Sequence, residues 1–281
     1  MQLLINPYMF ATGGGGFTDA YAMKFTVPGA FYTNNPSNSI NTLINSGTPA
    51  FTVSTWVYVD EIPSKLSTQG FEPAIIGTYN QTGGRGFYIY LAPTTETGNW
   101  AVYGQDTGVH ANLRLQSNSS TVTGWTHFVF TYDSTQTNGT QIAKIFLNGA
   151  YNTLASSTAS TSTTAKSFVG GGVPVTIGTV YSGGAAIPAN FAGNFSGRQN
   201  EVSFWYGALT ETQVNEIYNG GVPTALTGTT MAGRLLSWFR MGDASGDVFT
   251  SPNWVLSDQG TGSSTNLSSS TLTAAAKVAY P

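Results

Sequence analysis

Between residues 193 and 221 the hydrophobic period changes from two to 3.6 within one short stretch, and that change limits what the chain can build. Val202, Phe204 and Tyr206 share one parity of a strand over residues 201–206. Gly207 supplies a tight turn. A helix then opens on Thr210 with Gln213 three positions on, which is the spacing of a capping box. It carries Leu209, Val214, Ile217 and Tyr218 at helical spacing and stops at Asn219-Gly220-Gly221. This is the one convincing helical period in the sequence, so the chain is expected to be β-rich with a single short helix placed late.

The other ordered stretches keep a period of two. In residues 51–59, Phe51, Val53, Val57 and Val59 fall on one face while Trp56 and Tyr58 fall on the other. Residues 86–91 repeat the arrangement, with Phe87, Ile89 and Leu91 opposed to Tyr88 and Tyr90. Residues 100–103 read as another short strand. Asn148-Gly149 lies between two apolar runs and predicts a type I′ hairpin, because both central residues need positive φ. No repeat of fixed period is visible. At 281 residues the chain is within reach of a single all-β sandwich.

Charge excludes several partners. Only 8% of residues are charged, against about a quarter in ordinary domains, and Ser, Thr and Asn hold the polar positions instead. With net charge -3 and ten scattered Lys plus Arg, no basic stripe can neutralise a row of phosphates, so no nucleic-acid partner is expected. There is no cysteine, hence no disulfide framework and no thiol chemistry. The apolar start is broken by Asn6-Pro7 and lacks a basic leader, so no signal peptide is expected. No apolar run approaches the roughly 20 residues that span a bilayer, so no membrane segment is expected either.

The strand, turn and helix of residues 193–221 resemble the late part of a laminin-G-like, concanavalin-type jelly roll. The run GWTHFVFTYD, residues 124–133, is similar to that family's W-x-H-V-x-hydrophobic-T-Y-D strand, and LLSWFRMGD, residues 235–243, resembles its last strand, which pairs near the first. The resemblance implies an all-β, two-sheet antiparallel jelly-roll sandwich with one short helix near the C-terminal end of the domain. It divides the chain into an apolar arm with a glycine joint (1–19), the jelly roll (20–243) and a polar tail (244–281). It also makes His127 a packed structural histidine rather than a base. The sequence W-F-R-M-G-D, then D-x-G-x-G, then a short polar tail resembles the endings of phage-encoded structural proteins that carry this domain.

For catalysis the residues offer little. Retaining glycosidases on concanavalin-type sheets carry paired carboxylates on one strand, and no such spacing occurs here. Asp60-Glu61 is the one adjacent acidic pair, and it reads as a solvated turn before Pro63. No enzyme is expected, and no catalytic residue is assigned. Many relatives of this fold bind calcium through loop carboxylates. Their Asp-Glu before the late strand is matched by Asn200-Glu201, which removes a charge, so no metal site is assigned and calcium is a minor possibility.

The outward aromatics are the candidate site. Trp56, Tyr58, Tyr88 and Tyr90 would form a platform on which sugar rings stack, unless loops or another subunit cover them. The arm residues Leu3, Leu4, Ile5, Tyr8 and Phe10, on their glycine joint, would be buried on this domain or on a neighbouring copy. The leading expectation is a non-catalytic virion structural protein on a particle surface, a capsid decoration, minor capsid or fibre-type component. Its partners would be other virion proteins and itself, as a dimer or trimer. The alternative is a carbohydrate-binding, lectin-like module that attaches to surface or host glycans.

Overall fold

The computed structural model describes residues 17–26, 29–33, 37–60, 72–80, 86–92, 98–105, 113–118, 124–137, 139–158, 168, 173–181, 191–192, 195–262 and 265–280. The arm residues Leu3, Leu4, Ile5, Tyr8 and Phe10 lie outside them. Two large antiparallel sheets form most of the described structure. The eight-stranded sheet runs β10 (Ala150–Asn152), β9 (Ala143–Leu147), β8 (Trp125–Asp133), β3 (Ala50–Val59), β15 (Gly197–Tyr206), β1 (Tyr21–Phe25) and β20 (Lys277–Ala279), with β16 (Leu235–Phe239) also paired to β15.

The ten-stranded sheet runs β11 (Leu154–Thr158), β7 (Leu113–Ser117), β6 (Trp100–Gln105), β5 (Gly86–Leu91), β4 (Ala74–Gly77), β12 (Thr176–Ile177), β2 (Phe31–Thr33), β19 (Leu267–Ser269), β18 (Asn253–Leu256) and β17 (Val248–Thr250). A small ribbon pairs β13 (Val180–Tyr181) with β14 (Phe191–Ala192). Among the described residues three α-helices accompany them: α1 (Ser39–Ile44), α2 (Gly139–Ile142) and α3 (Glu211–Tyr218).

The alternation of β3 and β5 places the core. Phe51, Val53, Val57 and Val59 from one sheet meet Phe87, Ile89 and Leu91 from the other in one buried cluster. The jelly-roll sandwich is therefore as the period-two pattern requires. The hairpin between β9 and β10 turns on Asn148 (φ 51°) and Gly149 (φ 83°), both left-handed. A Cβ on Gly149 would meet the Tyr218 ring at 2.6 Å, so the turn fits against α3 only as glycine.

Helix α3 forms as its caps dictate. Gln213 Oε1 accepts from the Thr210 backbone N–H at 3.0 Å, Thr210 Oγ1 accepts from the Gln213 backbone N–H at 3.4 Å, and Asn219 takes the left-handed cap at φ 48°. Its buried Val214 and Ile217, with Leu209, pack on Val129, Phe146, Trp205 and Trp238 of the eight-stranded sheet. That apolar layer is a second, smaller core on the sheet's outer side.

The strand 235–239 pairs with residues 202–205 of β15, next to residues 197–199 where β1 pairs, and so lies near the first strand as expected. One expectation is corrected: the residues after Asp243 are no appended tail. They supply β17, β18 and β19 to one sheet and β20 to the other. The few apolar residues in this polar stretch are spaced to reach the core, where Trp254, Leu256, Leu267 and Leu272 are buried. Sparse apolar content hid the strands, since two inward side chains are enough for a strand of three or four residues.

Candidate functional site

The outer side of the ten-stranded sheet carries tyrosines because the inner side takes the aliphatic parity. With Phe87, Ile89 and Leu91 in the core, Tyr88 and Tyr90 must point outward. Register then assembles the neighbours: Tyr88 faces Tyr103 of β6, and Tyr103 faces Arg114 of β7. Tyr79, just after β4, completes the group. Its ring lies 5.3 Å from Tyr88 and 5.6 Å from Tyr103, while Tyr88 lies 5.2 Å from Tyr90 and 5.4 Å from Tyr103. Ala74, Ala92 and Ala101 pack among the rings and leave them room.

The phenol protons are spent inside the group. Tyr88 donates to Glu72 Oε2 at 2.8 Å, and Gln105 Oε1 accepts from Tyr103 at 2.9 Å and from Tyr79 at 3.3 Å. Burial, then Tyr103 and Glu72, push the Tyr79 hydroxyl up to about 12. Burial followed by the Glu72 charge pushes Tyr88 up further, and burial also raises Tyr103. All three are neutral donors at any physiological pH. Tyr79, Tyr88 and Tyr90 are 7%, 4% and 1% exposed and so are buried, packed with Val180 of β13, whereas Tyr103, Gln105 and Arg114 reach solvent.

Residues 32–215, more than half of the chain, match the sequence model of the concanavalin A-like lectin/glucanases superfamily, of the laminin-G type. The chain belongs to this superfamily. A search of curated protein sequences finds no match. Among solved structures, a candidate carbohydrate binding protein from Bacteroides ovatus superposes with a TM-score of 0.56 at 16% identity, over 91% of this chain and 59% of that one. The CBM40 of the Ruminococcus gnavus IT-sialidase superposes with a TM-score of 0.50 at 12% identity, over 70% of this chain and 96% of that one. At these identities they share the fold alone. The tailspike protein 2 of Escherichia coli O157:H7 bacteriophage CAB120 reaches a TM-score of only 0.39 at 12% identity, over 83% of this chain and 31% of that one. It carries no weight here.

In this concanavalin A-like sandwich the four aromatics expected to form one platform are divided between its two outer sides. Tyr88 and Tyr90 lie on the ten-stranded sheet; Trp56 and Tyr58 lie on the eight-stranded sheet and face the opposite way. Trp56 is 4% exposed, tilted against His127 at 4.9 Å and stacked under Tyr218 of α3 at 5.8 Å. Tyr58 is half-buried, between Trp125 at 5.8 Å and the Arg198 guanidinium at 4.6 Å. The period-two pattern gave the correct parity for all four. It carried no information on which sheet each strand joins or on what covers the sheet.

His127 is buried, and burial pushes its pKa down to about 3, so the ring is neutral. Its Nε2 lies 2.8 Å from Ser54 Oγ, while Nδ1 has no hydrogen-bond partner among the described residues. A Ser-His pair without an acid, sealed beneath a helix, cannot work as a nucleophile and base.

The Asn200-Glu201 position is occupied by internal bonds. Asn200 Nδ2 donates to both Asp19 oxygens at 2.9 Å; Glu201 takes the Trp238 indole N–H and lies 3.3 Å from Arg240 Nε. Burial raises both carboxyls, Asp19 further through Glu201, with Arg240 offsetting part of the rise at Glu201. Among the described residues no group of three or more His, Asp or Glu is placed to hold a metal ion.

Tyr79, Tyr103, Glu72, Gln105 and Arg114 were not singled out by sequence reasoning. A signal existed for Tyr103 and Gln105, which share one parity in the alternation of residues 100–105. The others join through strand register, which no local pattern encodes.

Proposed function

We propose that the protein is a non-catalytic carbohydrate-binding module whose site is the outer side of the ten-stranded sheet, around Tyr79, Tyr88, Tyr103, Glu72, Gln105 and Arg114. The observation that carries this reading is the half-exposed ring of Tyr103, backed by the buried Tyr79 and Tyr88 on the outer side of the ten-stranded sheet and accompanied by Gln105 and Arg114. Sugars offer apolar ring faces and a rim of hydroxyls, and an exposed ring with polar neighbours complements both. Fold likeness to the Bacteroides ovatus protein and to the CBM40 adds support of the weaker, analogical kind.

Binding without turnover is favoured by the carboxylate count. Glu72 is the one carboxylate that the described residues bring to the tyrosines, and it is engaged by Tyr88. Acid and nucleophile need two. The virion reading rests on the resemblance of the chain's ending, and we set it below the carbohydrate reading.

A glycan array probed with the full chain, followed by titration of the hits, tests the proposal. Tyr103→Ala should weaken binding by about 1–3 kcal/mol, in line with loss of one stacking ring. Tyr58→Ala, on the opposite side, should leave it unchanged. An array with no hits, or hits lost with Tyr58 and kept without Tyr103, overturns the assignment.

A further inference from the structure

We propose that residues 17–20 form a strap whose docking depends on a shared proton: a proton held between Asp19 and Asp243 closes the strap over Trp238 in acid, and its loss releases the strap as pH rises.

The strap leads into β1 and lies against β15 and β16. Phe17 stacks on Trp238 at 6.2 Å, and the Arg240 guanidinium lies 4.4 Å from the Phe17 ring and donates to the Thr18 carbonyl. Asn200 Nδ2 donates to both Asp19 oxygens at 2.9 Å. The Asp243 carboxylate takes the backbone N–H groups of Ala20 and Tyr21, at 3.2 and 2.9 Å. Each strap residue is thus tied down by Asn200, Trp238, Arg240 or Asp243.

A break in β15 makes these contacts possible. An unbroken strand sends consecutive side chains to opposite sides, but the register of β15 against β3 shifts between Asn200 and Ser203, and Glu201 takes a left-handed backbone at φ 50°. Both side chains therefore reach one cluster, Asn200 at Asp19 and Glu201 at Trp238 and Arg240.

The charges in that cluster do not balance. Three carboxyls, Asp19, Glu201 and Asp243, meet one cation, Arg240. Buried Glu201 takes the guanidinium at 3.3 Å. Asp243 accepts backbone N–H groups, which favours its ionised form. Asp19 lies within hydrogen-bond reach of Asp243 and has the Asn200 amide as its other partner among the described residues. Two carboxylates that close repel unless one keeps its proton, so Asp19 is the acid that donates and Asp243 the acceptor. Burial and then the Glu201 charge raise Asp19 accordingly.

Neighbouring charges are engaged elsewhere. Lys277 of β20 sits over the Tyr21 ring at 3.8 Å, Lys24 of β1 and Arg198 of β15 meet Asp60, Asp247 takes the N–H groups of Gly242 and Ala244, and Asp258 takes that of Trp238. A carboxyl raised by folding contributes fully below its ordinary value of 3.8, and the contribution is lost as pH climbs through the raised one. Phe17 packs on the second core, so release of the strap uncovers it.

Hydrogen exchange of the full chain tests this at about pH 5 and about pH 8.5, read as protection factors so that the base-catalysed intrinsic rate divides out. Protection at Ala20 and Tyr21 should fall at least tenfold between the two in the wild type, while β3 and β8 keep theirs. Asp19→Asn gives Asp243 a permanent donor in place of the proton, so its protection should change less than twofold. The substitution precedes β1 and leaves every strand intact. Aspartate-selective carbon-13 NMR should show a carboxyl that titrates above about pH 6 and is missing from the variant. Equal wild-type protection at both pH values, a fall shared by β3 and β8, a parallel fall in Asp19→Asn, or no such carboxyl overturns the proposal.

Discussion

The two outer sides of the sandwich start from the same pattern and end differently. β3 and β5 both put aliphatic and Phe side chains inward and aromatics outward. On the eight-stranded sheet the outward ring of Trp56 is covered by Tyr218, and Trp205 and Trp238 sink beneath α3 into a second core. On the ten-stranded sheet the outward rings are tyrosines, whose hydroxyls need acceptors and so keep Glu72 and Gln105 beside them. An aromatic that faces away from the main core is thus not yet a surface residue. What decides is whether a second layer packs on it: Tyr88 and Tyr90, at 4% and 1% exposed, are as buried as Trp56, their hydroxyls needing acceptors inside the cluster, and it is Tyr103 that reaches solvent.

The sharpest way to break this contrast is Trp56→Ala. On the covered side it should cost about 3–5 kcal/mol of stability, as loss of a buried large ring does, and alter glycan binding only through unfolding. Denaturant titration reads the first effect and array binding the second. A stability change under about 1 kcal/mol would mean that the helix does not seal this side.

Acid separates the two sides next. The His127 pKa is lowered in the folded state, so its contribution is complete above the unfolded value of about 6.5 and is lost as pH falls toward about 3. Stability should drop by on the order of 1 kcal/mol per pH unit below about 6.5, relative to a His127→Gln variant. On the tyrosine side the Tyr79 and Tyr103 phenols donate to the Gln105 amide, which does not titrate, so these hydrogen bonds should persist. Paired pH melts of wild type and variant measure the difference, and parallel curves would contradict it.

Tyr103→Ala should do the reverse of Trp56→Ala. It should remove about 1–3 kcal/mol of glycan affinity while changing stability little, because the ring is half-exposed. Calorimetric titration and a melt on the same sample compare the two numbers.

The smallest effect is expected at Thr210→Ala, which removes one half of the capping box. About 1 kcal/mol of stability should go, with faster hydrogen exchange confined to α3 and no loss at the tyrosines. Exchange that speeds up on β5 and β6 as well would mean that the two sides are coupled through the core.

Much of the fold was legible because it is written in local periods. Alternation at residues 51–59 and 86–91 fixed which side chains face the core, Asn148-Gly149 fixed a hairpin, and Thr210 with Gln213 fixed where the helix begins. These features depend on neighbours in the chain, and the physics that produces them acts over a few residues. The C-terminal strands were less legible, since Leu267, Leu272 and Trp254 are too few to mark a pattern and become core only when β2 and β18 supply partners.

The site was the least legible. Sequence alone determined that Trp56, Tyr58, Tyr88 and Tyr90 point away from the sandwich interior, because side-chain direction on a strand alternates by geometry. Only the tertiary structure decided that they form two groups on opposite sides, that α3 buries one of them, and that Tyr103 and Arg114 join the other. Sheet membership and register come from closing long loops against a shared core. That global balance of burial and chain entropy leaves no mark on any single stretch of sequence.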